Sequence, residues 1–416
     1  MRKIQVRNII DAGFILIIMF LLEYSYKNFI VPYFTSEGYT FSFDFLRYSL
    51  SKIILLIIII INLLQEKFNY FISILFTILM LIPNLILYEF NPQITFTISF
   101  FIFLTILLIF FTSLVSIRTI KISYTNPNKI LSISIVAFLA FIPLFFTYGT
   151  HINLKVFLFK DIYLVREQGV EKMGLITSYI YPWIVKIIFP MALILALQYK
   201  KKMLFILIFL AQLYLFAVQG HKSVFISVFL IFFFFIKDYH KQIRLILYGI
   251  ISVIISARLI TLFTGNILPE SIFVRRVFFV PAINNYFYFD FFKEKPLFYS
   301  NSILKRFIEY PYSIKPQYLI GEKYYGATKM SVNNGFISDG YMNIGIWGII
   351  INIIGIIIYF RLLSKINISP VFSGILIIII FTLISSYLLT SLLTHGLLIF
   401  LLLSFIILQD TNKSFK

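Results

Sequence analysis

The sequence predicts an all-α, polytopic transmembrane helical bundle. Three observations lead there: 60% of the 416 residues are hydrophobic and 13% charged, mean hydropathy is +0.95, and the apolar residues are clumped. Runs such as IILLIIIIINLL (53–64) and FISVFLIFFFFI (225–236) show the clumping. A soluble domain is about a quarter charged. At helical rise, roughly twenty apolar residues match a hydrocarbon core about 30 Å thick. Backbone groups in lipid must be bonded internally, which leaves helices or closed barrels, and the short alternating bursts of barrel strands are missing.

The pattern divides into twelve expected spans. The first, 9–26, follows the positive residues of Met1–Arg7 but has no small-x-small cleavage site before Glu23, so it reads as a retained helix. Next come 44–64, 69–88, 94–117 and 130–148, with Pro83 and Pro143 inside spans, where membrane helices tolerate kinks. Span six, 177–198, holds Pro182 and Pro190. Spans seven and eight, 203–219 and 222–237, are short and divided only by Gln219–Lys222. The set closes with 243–262, 338–360, 371–389 and 392–409, the last two meeting near Ser391. The whole chain, 1–416, reads as one transmembrane domain, with no obvious internal repeat.

Basic residues orient this plan. With a cytoplasmic N-terminus, the inside segments hold Arg2, Lys3, Arg7, Lys67, Arg118, Lys121, Lys129, Lys200–Lys202, Lys237, Lys241, Arg244, Arg361, Lys365, Lys413 and Lys416. The short outside turns hold Lys27 and Lys222. That asymmetry predicts both termini in the cytoplasm. Two large external loops result, 149–176 and 263–337, expected to contain short helices and function. Their excess of Lys and Arg calls for an anionic partner or close contact with membrane lipids. The net charge of +19 is partly topology charge, and no nucleic-acid-binding motif is present.

Several side chains are candidates for chemistry. Arg258 lies in the outer part of span nine, where a charge marks a functional site or snorkels to the surface. His221 and Lys222, in QGHKS, set an imidazole beside an ammonium at the mouth of the bundle, with helix capping as the plainer reading. Arg275 and Arg276 form a tandem pair whose forks suit pyrophosphate or a lipid headgroup. Arg166, in YLVREQG, is the counterpart in the first loop, or a solvated charge near Glu167 and Glu171. In SVNNGFISDGYMNIGIWG (331–348), Asn333, Asn334 and Asp339 bring hydrogen-bonding groups to the start of span ten, and Gly335, Gly340, Gly345 and Gly348 permit close approach, for a ligand or for helix packing. His395, in THG, approaches the same mouth or bonds within the bundle.

Other chemistries are excluded or unsupported. There is no cysteine, hence no thiol nucleophile or Cys-ligated metal. No P-loop, HExxH or Asp-x-Asp motif occurs, four scattered histidines do not make a His-rich metal site, and no cofactor is expected.

RR followed by PA and YFDFF (275–292), PLFYSNS (296–302), the Tyr-rich stretch to Gly326, NNGFISDGYMNIGIWG and the QGHKS turn together resemble the bacterial O-antigen and capsular oligosaccharide repeat-unit polymerases (Wzy-like). The resemblance implies a GT-C-like glycosyltransferase of the bacterial inner membrane, acting on its outer face. Such enzymes extend a polysaccharide by transfer from an undecaprenyl-pyrophosphate-linked donor, alongside a polysaccharide chain-length regulator as a further partner. It also implies Arg166 and Arg275 or Arg276 as functional arginines, with Asn333, Asn334 and Gly335 as the asparagine-glycine segment. His221, His395 and Asp339 are then the candidates for a base, and Arg258 and Lys222 for electrostatic help. A polysaccharide ligase, of the same mechanistic class, and a transporter or flippase of lipid-linked sugars remain as alternatives.

Overall fold

The computed structural model describes residues 6–65, 67–115, 128–158 and 161–408. The regular secondary structure of these residues is all helical, with no strand among them. Among the described residues, ten helices are long and apolar enough to cross a membrane: α1 Asn8–Glu37, α2 Phe45–Leu63, α3 Lys67–Phe90, α4 Thr97–Leu114, α5 Lys129–Tyr148, α7 Leu175–Gln198, α8 Lys202–Gln219, α10 Tyr239–Thr264, α14 Ile346–Ile366 and α16 Leu388–Leu408. The chain is therefore a multi-pass, all-helical membrane protein. Two of the twelve expected spans are shorter apolar helices, α9 Val224–Phe235 and α15 Pro370–Ser385. The long interspan segments contain helices, as expected: α6 Ile162–Glu171, then α11 over 268–292 and α12 Pro316–Tyr325. The expected inside charges Arg2, Lys3, Arg118, Lys121, Lys413 and Lys416, and Lys160 of the first loop, lie outside the described residues.

Span ten begins later than its hydropathy suggests. Residues 336–344 form a separate helix, α13 Phe336–Ile344, which ends at Gly345 with φ +61° and ψ −142°, a backbone that side chains resist. Apolar composition runs straight across that break, so hydropathy alone merges the two helices. The final break also moves, from Ser391 to the two residues between α15 and α16.

Wide π turns punctuate the helices in a regular way. Tyr26–Ile30 precedes Pro32, Thr77–Leu81 precedes Pro83, Ile184–Ile188 precedes Pro190, and Ser271–Phe279 precedes Pro281. Proline lacks an N–H and its ring crowds the carbonyl four residues back, so a locally wider turn relieves the clash without ending the helix.

The chain folds as two compact units. The first comprises residues 1–116, 238–361 and 383–388. Its centre is α3, whose span is wholly buried and packs against α2, α4 and α10. Phe76 of α3 meets Phe336 and Phe360 edge-on. Five ion pairs tie the unit together: Asp11–Arg244 at 3.0 Å, Lys52 with both Glu23 and Glu89, Arg258–Glu270 at 3.4 Å, and Glu37–Arg275. Three of those carboxylates lie on α1.

The second unit comprises residues 117–237, 362–382 and 389–416. α7 is its buried centre and packs against α5 and α8. α6 docks on the end of α8 through two glycines. A Cβ at Gly169 would lie 2.8 Å from the Gln219 side chain, and one at Gly220 would lie 2.9 Å from the Ile162 carbonyl oxygen. Gly220 also closes α8 at φ +62°.

Candidate functional site

In the first unit, the patterned segment 331–348 is knitted into the protein. Asp339 is 4% exposed. Its carboxylate accepts from the backbone N–H of Leu388 at 2.9 Å, from Asn343 at 3.1 Å and from Asn352 at 3.4 Å. Burial pushes its pKa up to about 6 against those three donors. Ser338 donates to Asn285 at 2.8 Å. The Asn333 backbone oxygen accepts from Asn284, whose own side-chain oxygen accepts from the Tyr325 hydroxyl. The Asn333 side chain is exposed, and Asn334 is buried with its side-chain nitrogen unbonded among the described residues. Gly335 packs where a Cβ would lie 2.6 Å from the Ile384 carbonyl oxygen, and a Cβ on Gly340 would lie 2.5 Å from the backbone of Gly348. Close approach of backbones accounts for these glycines without a ligand.

The arginines of this unit differ in their freedom. Arg258 pairs with Glu270, whose carboxyl burial raises while Arg258 lowers it, and stands 5.5 Å from the Tyr24 ring. Arg275 is buried, pairs with Glu37, and lies 4.1 Å from the Phe34 ring. Arg276, in the same π turn, is exposed and has no ion pair or side-chain hydrogen bond among the described residues.

In the second unit, residues far apart in sequence converge. The Arg166 guanidinium donates to the Gly220 carbonyl at 3.3 Å, which brings VREQG to QGHKS. His221 is half-buried, with its ring 5.6 Å from that of Tyr181. Burial first, then the charges of Arg166 and Lys186, hold the His221 imidazole down to a pKa of about 4, so it is neutral at neutral pH. Lys222 begins the next helix and its side chain lies outside the described residues.

Lys186 is the residue the sequence reading missed. It lies in the π turn of α7 among the buried Ile184, Val185, Ile187 and Ile188. Gln212 donates to the Val185 carbonyl of the same turn at 3.2 Å. His395 stands across from it. The Trp183 indole donates to the Leu393 carbonyl at 2.6 Å, and Gly396, at φ +85°, packs 3.0 Å (Cβ position) from Ile187. The ammonium of Lys186 is an electrostatic neighbour of both His221 and His395. Among the described residues Lys186 has no ion pair and no side-chain hydrogen bond, and the His395 Nδ1 is buried without a partner. The described acidic residues of this unit are Asp161, Glu167 and Glu171, all exposed in and beside α6.

The two units thus treat embedded cations differently. In the first, Lys52, Arg244, Arg258 and Arg275 each meet a carboxylate. In the second, Lys186 meets no carboxylate among the described residues. A cation in a membrane span without a protein counter-ion is costly and is a functional-site candidate by default. The sequence signal was available: Lys186 is the single charge inside span six, between two prolines. No group of three or more His, Asp or Glu residues suited to a metal occurs among the described residues.

Comparison with protein-family models, with curated proteins and with solved structures gave no match for this chain.

Proposed function

We propose that this membrane protein is a GT-C-like glycosyltransferase that polymerises oligosaccharide repeat units carried on undecaprenyl pyrophosphate. The observation that carries this reading is the meeting of Arg166 with the Gly220 turn, beside a neutral His221 and with no buried carboxylate among the described residues of that unit. An anionic leaving group wants cations and N–H donors, and an acceptor hydroxyl wants a neutral base. In the reaction, an acceptor hydroxyl oxygen bonds to the anomeric carbon as the carbon–oxygen bond to pyrophosphate breaks. The bonding pair leaves on pyrophosphate, and the hydroxyl proton passes to a base, for which His221 is the candidate. Pyrophosphate is already a good leaving group, so charge stabilisation and positioning do most of the work. On the first unit, exposed Arg276 and the exposed amide of Asn333 are separate candidates for substrate contact. The sequence resemblance and the basic-residue asymmetry support a site on the side of the inner membrane away from the cytoplasm, with both termini cytoplasmic.

The test is a deletion of the gene followed by analysis of the lipid-linked and exported glycans. Single repeat units are expected where the parent makes long chains. Normal polymer in the deletion strain overturns the proposal, and full-length polymer held on the lipid carrier converts it to a ligase.

A further inference from the structure

We infer that Lys186, with His395 and His221 around it, forms a binding site for a phosphate-class anion carried on a lipid tail. The inference deepens the reading above by assigning a membrane-embedded counter-charge to the headgroup, but it stands on its own geometry.

Three features carry it. First, Lys186 is a cation inside a membrane span with no ion pair among the described residues, while Lys52, Arg244 and Arg258, also inside spans, each meet a carboxylate. An uncompensated ammonium at that depth is expensive unless an anion arrives. Second, its neighbours are groups that donate to anions. The imidazole of His395 has an unpartnered buried Nδ1, and the His221 ring lies 5.6 Å from that of Tyr181, on the same helix as Lys186. Third, the flanks are apolar: the residues on either side of Lys186 are buried isoleucines and valine, and α7 continues as a hydrophobic helix. A site within a membrane span suits a headgroup that enters with its hydrocarbon rather than a free hydrated ion. A lone lysine is a point charge with three donors and binds phosphate without the planar fork of arginine.

Trp183, three residues before Lys186, provides a reporter that does not depend on activity. Trp347 is the other tryptophan of the chain, so Trp347→Phe isolates the signal. The purified full-length chain in nanodiscs is titrated with farnesyl pyrophosphate, inorganic pyrophosphate and farnesol. Farnesyl pyrophosphate is expected to shift Trp183 emission saturably. Lys186→Met should weaken that binding about tenfold or more, the usual scale for removing a buried charge partner, while Lys186→Arg stays within a few-fold. Lys186→Gln is read in parallel, and each variant is accepted only if it elutes as the parent does. Equal affinity in parent and Met or Gln variants overturns the site. Inorganic pyrophosphate binding as well as the farnesyl form overturns the lipid-borne ligand, and farnesol binding as well overturns the anion. Should neutral variants fail to accumulate, the parent alone decides: no saturable response to farnesyl pyrophosphate overturns the site. Lys186-dependent binding in a protein whose deletion leaves polymer normal keeps the site and removes only the polymerase reading.

Discussion

The guanidinium of Arg275 is held by the carboxylate of Glu37, 238 positions earlier, with Phe34 covering its other face 4.1 Å away. A sequence of two adjacent arginines suggests a double clamp. On a helix, however, neighbouring residues point about 100° apart, so one turns inward while the next faces out. Arg275 closes the end of α1 against α11, and Arg276 remains exposed.

The pair therefore divides its duties. Arg275→Ala is expected to destabilise the protein by about 2–3 kcal/mol, the lower part of the range for orphaning a partly buried ion. Glu37→Gln in the same chain should recover much of that loss. Arg276→Ala and Arg276→Lys should leave thermal stability within about 0.5 kcal/mol. If Arg276 contacts the leaving group, both variants lower polymer formation, Lys because it lacks the fork. Melting temperature and polymer length, measured on the same membranes, separate the two residues. Normal polymer in both Arg276 variants removes it from the site.

His221 gives a pH signature whose sign is fixed. An unfolded imidazole takes its proton near 6.5, whereas the folded His221 resists until about 4. The unfolded state thus binds more protons in that window, so stability is complete above 6.5 and declines as pH falls towards 4. Thermal unfolding followed at pH 7.5, 6 and 5 should show a smaller decline in His221→Gln than in the parent. Parallel declines would mean that His221 is protonated in the folded protein near its ordinary pKa.

How far the fold was legible depended on whether hydropathy or partnership was the question. Long apolar runs located the ten crossing helices, because lipid leaves few alternatives for a backbone. The same runs hid the stop at Gly345, where composition does not change but backbone conformation does. Ion pairs such as Asp11–Arg244 join residues more than 200 positions apart and leave no local pattern. Lys186 was passed over because one lysine barely lowers the hydropathy of span six. Arg166 and His221 were recognisable as separate motifs, and the packing of Gly169 and Gly220 together with the Arg166–Gly220 hydrogen bond joins them.

The glycines of the α13–α14 junction should respond according to their surroundings. A methyl on Gly348 would overlap the carbonyl of Gly340, and both partners are backbone, which cannot swing aside. Gly348→Ala is expected to cost about 3 kcal/mol or more, or to prevent accumulation. Gly249, in α10, has nothing within 4 Å of its Cβ position, and Gly249→Ala should fall within about 1 kcal/mol of the parent. Equal expression and melting of the two variants would mean that α13 and α14 do not approach each other so closely.

Asp339 offers the sharpest separation between a structural carboxylate and a catalytic one. Its oxygens accept from Leu388, Asn343 and Asn352, and it is almost wholly buried. Because burial raises its pKa to about 6 from the ordinary 3.8, the folded state binds more protons than the unfolded state between those values. Its contribution is therefore most favourable at low pH and is lost as pH rises through about 6. Asp339→Asn keeps an acceptor for the Leu388 N–H and removes the titration. It is expected to fold, to melt near the parent at neutral pH, and to lose the part of the pH dependence between 4 and 6 that Asp339 contributes, leaving the opposite decline due to His221. Asp339→Ala leaves the buried Leu388 N–H without that acceptor and should cost about 1–3 kcal/mol. If Asp339 only caps and pins, the Asn variant retains polymer formation. If it accepts the acceptor hydroxyl's proton, the Asn variant folds normally but makes single repeat units, and the base moves from His221 to Asp339.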